Sequence, residues 1–180
     1  MDGLADPYLS TPIHRLVRKR IPWLVLLLLL GTVTTNVLHH YENMIVQAAF
    51  LIIFLPVITQ TGGNAGAQSS TLMIRGLATG QIQFRDFRRI IWRELLVGIV
   101  LGIGTGIVIF LRSHFLPPGV GIDQAVAIGC ALIFVVFFAS IVGTLAPILI
   151  ARLGFDPTVM SAPLMATLID VAGITIYFET

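Results

Sequence analysis

Apolar residues in this chain come in long blocks separated by short polar stretches. A helix needs about 20 apolar residues to cross the hydrocarbon of a bilayer, and five blocks reach that scale. They predict membrane spans over approximately residues 22–38, 44–73, 94–112, 123–151 and 158–180. Residues 1–21 read differently. Leu4, Leu9, Ile13, Leu16 and Val17 fall on one side of a short helix, and Arg15, Arg18, Lys19 and Arg20 close the segment, as in an interfacial helix or linker. Pro22 is expected at the first helical position of the first span, with Trp23 anchoring it at the interface. The predicted fold is all-α: a polytopic membrane protein of five transmembrane helices, preceded by a short interfacial helix, with residues 22–180 forming one membrane domain.

The second block is longer than a bilayer requires and changes character midway. After the apolar run Met44–Leu55 comes Pro56-Val-Ile-Thr-Gln-Thr-Gly-Gly-Asn-Ala-Gly-Ala-Gln-Ser-Ser-Thr71. Polar groups at membrane depth are tolerated where they line a hydrated path or are buried in protein, because each unpaired one costs several kcal/mol in hydrocarbon. The span is therefore expected to be tilted, broken or protruding, with a kink just before Thr59 where Pro56 deprives the Ile52 carbonyl of its helical donor. The glycines read in two ways, as part of a polar path or as contacts that let helices approach closely. A phosphate loop does not fit, since no lysine stands at the required place. In the third span Gly98, Gly102 and Gly106 recur at four-residue intervals, a packing groove along one helix face.

Composition supports the membrane reading: 56% of residues are hydrophobic and only 11% charged, with mean hydropathy +0.94. The net charge of +2 does not point to nucleic acid, because the basic residues flank apolar spans and act as topology markers. Of the 11 Lys and Arg, all but Arg112 fall on the side of the N-terminus, which predicts that side to be cytoplasmic and Thr180 outside, in a cell (plasma or inner) membrane. The single cysteine, Cys130, permits neither an intrachain disulfide nor a cysteine metal cluster. His39 and His40 form a tandem without a third ligand and read as a wet loop between the first two spans. Asp156 and Thr158 are expected to cap the last helix.

Of nine acidic residues, Asp170 alone falls well inside a span. An Asp near the bilayer centre costs about 2.5–3.5 kcal/mol on insertion scales, so it should face a bundle interior or a hydrated cavity. Ala166 and Pro163 precede it by one and two turns, Thr167 and Gly173 lie three residues to either side, and Tyr177 continues the stripe. No basic residue lies at comparable depth, which favours a mobile cation as its partner over a structural role for a protonated Asp. Nothing in the chain points to an enzyme.

The chain resembles the membrane domain of the MgtE family of magnesium channels. The resemblance rests on Pro56, on Thr61-Gly-Gly-Asn-Ala-Gly-Ala-Gln-Ser-Ser-Thr71 with Arg75-Gly-Leu-Ala-Thr-Gly80, and on Leu153-Gly-Phe-Asp-Pro157 with Pro163, Thr167, Asp170 and Gly173. It implies a homodimer in the bilayer around a central pore, with Mg2+ as transported ion and pore ligand. Asp170 would be the selecting carboxylate, aided by groups around Asn64, Gly66, Ala166 and Thr167. Gln81 stands where the family pattern has Glu, and Ala162 where it has Gly. The cytoplasmic regulatory domains expected of the family, including the CBS pair, lie outside this sequence.

Because magnesium holds its water tightly, a site that must also release it should take the ion largely hydrated at a midplane pair of Asp170 carboxylates. Two other readings use the same residues. A cation-coupled secondary transporter of divalent metals also uses broken helices and a midplane carboxylate. A non-transporting membrane assembly subunit would keep the Gly-rich stretch and Asp170 as buried structure.

Overall fold

The computed structural model describes residues 11–180, so the first half of the predicted interfacial segment lies outside the described residues. Helix α1 covers Ile13–His40, α2 Glu42–Gln47, α3 Phe50–Ala78, α4 Phe87–Phe115, α5 Ile122–Arg152 and α6 Ala162–Glu179. Short 3-10 turns at Phe84–Asp86 and Pro157–Val159 lead into α4 and α6, and no strand occurs among the described residues. All but α2 are long and apolar enough to cross a membrane, the five spans that the hydropathy blocks predict.

Three local expectations are corrected. Pro22 lies inside α1 rather than at its start, so the basic segment from Ile13 and the first span form one continuous helix. The second block breaks not at Pro56 but at Ala48, whose φ of −132° and ψ of 70° leave the helical region. Pro56 is accommodated inside α3. The excess length of this block becomes the separate six-residue α2 at the end where α1 finishes, while α3, 29 residues or about 43 Å long, still exceeds the bilayer. Asp156 accepts a hydrogen bond from the Thr158 amide at 2.9 Å and so caps the 3-10 turn; α6 starts later, with Ser161 as its N-cap residue and Pro163 in its first turn. That amide holds the Asp156 carboxyl below the usual carboxylate range.

Helix α5 is the centre of the bundle and packs on α3, α4 and α6. It can do so because its neighbours present glycine. A methyl group at Gly102 of α4 would come within 2.8 Å of the Ile133 carbonyl oxygen, and one at Gly106 within 2.9 Å of the Gly129 carbonyl oxygen. The four-residue glycine row therefore serves packing, with backbone against backbone. On the α3 side, Gly143 of α5 lies directly against the Gly66 carbonyl. Phe54, Ile58, Ile128, Val135, Val136 and Tyr177 fill the core between α3, α5 and α6.

The five long helices alternate in direction, and two long-range hydrogen bonds fix α6 parallel to α1 and antiparallel to α3. At one end the Tyr41 hydroxyl donates to Glu179 Oε1 at 2.7 Å, joining the C-terminal ends of α1 and α6. At the other, Ser70 Oγ donates to the Met160 carbonyl at 2.8 Å, joining late α3 to the approach to α6. The alternation gathers every Lys and Arg except Arg112 at the end where α1 begins. Helix α1 contacts chiefly α6 and has no buried residue, leaving a broad apolar surface on the outside of the chain.

Candidate ion groove between helices α3 and α6

The Gly-rich stretch is helical throughout, and its two faces do different things. One face, Gly62, Gly66, Ser69 and Ser70, is buried. A methyl group at Gly66 would meet Ile169 at 3.1 Å and the Ala139 carbonyl oxygen at 3.3 Å, so this face is in contact with α5 and α6. The other face carries Pro56, Gln60 and Asn64, all exposed, at successive four-residue steps. The packing reading therefore holds for Gly62 and Gly66, while Gly63 alone of the three glycines also lines the recess beside the exposed face.

Alongside that exposed face runs an open groove of about 530 Å³, lined from α3 by Pro56, Thr59, Gln60, Gly63, Asn64 and Ala67, and from α6 by Ala162, Pro163, Ala166 and Asp170. The groove can form because Gly63 and Ala166 meet with no larger side chain between them: a methyl group at Gly63 would stand 3.5 Å from Ala166. Asp170 sits midway along α6, half-buried, and makes no hydrogen bond or ion pair to any described residue. Its carboxylate thus opens onto a channel-like recess walled by two side-chain amides, a threonine and otherwise small residues.

Three of the five residues singled out from the sequence, Asp170, Asn64 and Ala166, meet in this groove. Two do not line it. Gly66 is buried with its carbonyl against Gly143 of α5, and Thr167 donates from Oγ1 to the Pro163 carbonyl of its own helix at 3.0 Å. Gly173 and Tyr177, read as continuing the Asp170 stripe, turn into the core instead: Gly173 contacts Val135, and Tyr177 is 4% exposed. At 100° per residue positions 173 and 177 stay on the face shared by 163, 166 and 170, so it is the packing of α5 and α3 against the C-terminal half of α6, and not helix phase, that buries them. Thr59, Gln60 and Ala162 also belong to the groove. The signal for Gln60 was present in the sequence, as a second amide one turn before Asn64.

The donor set is all oxygen and amide, which suits a hard cation such as Mg2+ or Ca2+ and not a soft metal. No cluster of three or more His, Cys, Asp or Glu able to hold a metal occurs among the described residues. One chain offers a single carboxylate, too few ligands to strip a divalent cation of its water, so a largely hydrated ion is what these residues fit. At the far end of the molecule, His39 Nδ1 lies 3.0 Å from Glu42 Oε2 on the exposed surface, across the one-residue junction at Tyr41 between α1 and α2 rather than in the expected loop. Beside it, donation to Glu179 pushes the Tyr41 phenol pKa above its ordinary value.

These features agree with what the comparisons find. The family model for MgtE, described as a divalent cation transporter, matches residues 55–180, the stretch that contains both walls of the groove. The magnesium transporters MgtE of Thermus thermophilus and Enterococcus faecalis are each 40% identical to the chain over 165 residues. That of Bacillus subtilis is 31% identical over 160 residues. Each alignment covers 89% of this chain and 35% of the relative, so the chain spans about a third of the length of these curated relatives. With most of its residues matched by the family model, this chain belongs to the MgtE family of divalent cation transporters.

Proposed function

We propose that the chain forms a two-fold homodimeric, magnesium-selective channel in the cell membrane, with the α3–α6 groove of each copy facing the symmetry axis. The observation that carries the proposal is the placement of Asp170: a carboxylate without a hydrogen-bond or ion-pair partner among the described residues, midway along a membrane span, on a groove lined by Asn64 and Gln60. Gln60 and Asn64 are exposed in the single chain, at a depth where facing lipid would be costly. A second copy related by a two-fold axis turns both grooves into one enclosed polar path and supplies two carboxylates to one ion. Magnesium transport as the activity of the curated relatives supports the choice of ion.

The mechanism follows from charge and hydration. Coulomb attraction scales with ion charge, so paired Asp170 carboxylates draw a divalent cation about twice as strongly as a monovalent one at equal distance. Asn64 and Gln60, as amide oxygen acceptors, receive hydrogen bonds from the water shell of the ion, and the small residues Gly63, Ala166 and Ala67 leave room for that shell. The ion remains mobile because no inner ligand has to be exchanged. The gathered basic residues orient α1 with its N-terminal end in the cytoplasm and the C-terminal end of α6 outside.

The test is electrical recording from the purified protein in planar bilayers. Unitary Mg2+ currents, blocked by the exchange-inert hexaamminecobalt(III) ion as a stand-in for hydrated magnesium, are expected. Stoichiometric cation-coupled flux without unitary currents would favour a carrier, and no flux at all would leave the groove as a packing feature.

A further inference from the structure

The cytoplasmic end of α4 carries a second concave site that ion passage does not use. Arg88, Arg89 and Trp92 lie at the spacing of one face of α4, and together with Arg85 and Asp86 of the preceding 3-10 turn and with Phe87 and Ile91 they line a groove of about 760 Å³. The three arginines are exposed, and none has an ion-pair partner among the described residues. Asp86 offsets one of the three charges; its Oδ2 accepts from the Gln83 amide at 3.4 Å. Trp92 is 65% exposed on the same wall. An isolated chain of basic residues would serve topology alone, as Arg15, Arg18, Lys19 and Arg20 on the convex α1 do. Here the charges sit beside an exposed indole and aliphatic side chains on one segment, 85–92, that forms one wall of the groove.

The depth of this groove identifies its occupant. Helix α4 is 29 residues long, about 43 Å, while about 20 residues suffice for the hydrocarbon; because Arg88, Arg89, Arg93 and Glu94 precede the apolar run that starts at Leu95, the excess falls on its first two turns, at headgroup depth. Below them Leu96, Ile99 and Val100 are exposed and face acyl chains. A ligand in the groove thus meets guanidinium groups at headgroup depth and apolar surface continuing into the hydrocarbon. Guanidinium groups bind phosphate oxygens bidentately, and indole rings settle at the membrane interface. We infer that the Arg85–Trp92 groove is a binding site for an anionic phospholipid of the cytoplasmic leaflet, held by its phosphate on the arginines with an acyl chain along α4.

The experiment uses fluorescence. The chain has two tryptophans, so Trp23→Phe leaves Trp92 as the sole emitter. This variant is reconstituted into phosphatidylcholine vesicles that contain equal fractions of either brominated phosphatidylglycerol or brominated phosphatidylcholine. Quenching by the anionic lipid should indicate roughly tenfold enrichment beside Trp92, given the attraction of each basic residue near an anionic surface. The additional change Arg85→Gln/Arg88→Gln/Arg89→Gln should remove the preference. Inorganic phosphate matched to the headgroup concentration should leave it intact, because a free anion lacks the apolar half of the contact. Equal quenching by the two lipids in Trp23→Phe alone would overturn the inference and leave the patch to an acidic protein surface. Loss of the preference on adding phosphate would overturn it in favour of a free-anion site.

Discussion

Ser70 and Met160 are 90 residues apart in sequence, yet the Ser70 hydroxyl donates to the Met160 carbonyl at 2.8 Å, and this bond sets where α6 begins against the Gly-rich helix. From that point α6 runs antiparallel to α3, which brings Pro163, Ala166 and Asp170 in turn alongside Ala67, Asn64 and Gln60. Removing the bond should loosen the groove. Hydrogen bonds between membrane helices average about 0.6 kcal/mol and reach roughly 1.7 kcal/mol. Ser70→Ala should therefore lower stability by about 1 kcal/mol in detergent unfolding and weaken Mg2+ selectivity without abolishing dimerisation. Unchanged stability and selectivity would show that the α3–α6 register is set elsewhere.

Packing at the back of the groove is less forgiving. Gly143 faces the Gly66 carbonyl with Gly66 Cα 3.0 Å from where a methyl group would lie, so Gly143→Ala must push α5 from α3. Forcing extra atoms into a close-packed contact costs about 1–3 kcal/mol. The variant should unfold at lower temperature than wild type, whereas Gly104→Ala, with open space around it, should not. Equal melting of all three proteins would contradict the contact.

The topology follows from the distribution of basic residues. In a Cys130→Ser background, single cysteines at His40 or Pro118 should react with an impermeant thiol reagent added outside, and one at Gln81 should not. The opposite pattern would reverse the orientation and with it the leaflet assigned to the Arg85–Trp92 groove.

How much of this was legible in the sequence depended on range. The five spans were legible because hydropathy is a property of each segment alone, and the glycine row of α4 because a four-residue period lies within one helix. Asp170 stood out because a carboxylate in an apolar block is costly wherever it faces. Which way Gly66, Gly173 and Tyr177 face was not legible, since each is decided by contacts with α5, more than 30 residues away in the chain. Pro56 stands inside the continuous helix α3, while the break between α2 and α3 comes at Ala48, where no turn-forming residue marks it in the sequence. The exposed amides Gln60 and Asn64 mark the remaining gap, one that the proposed second copy would close.

Dimerisation across the groove is tested by cross-linking. A cysteine at Ala162, exposed on the rim of the groove, should join two copies in the membrane under mild oxidation in a Cys130→Ser background. One at Val108, exposed on α4 and not part of the groove lining, should not. Cross-linking at Val108 alone would place the axis on another face.

The central claim is that Asp170 selects the ion, and Mg2+ uptake into liposomes by Asp170→Asn tests it most directly. The substitution keeps size and hydrogen bonding while removing the charge, so the protein should insert and dimerise as before. Mg2+ uptake should fall by more than tenfold and the preference for Mg2+ over Na+ should disappear, consistent with the loss of both midplane charges. Wild-type Mg2+ uptake with wild-type selectivity in a correctly inserted Asp170→Asn dimer would contradict the account and make Asp170 a packing residue.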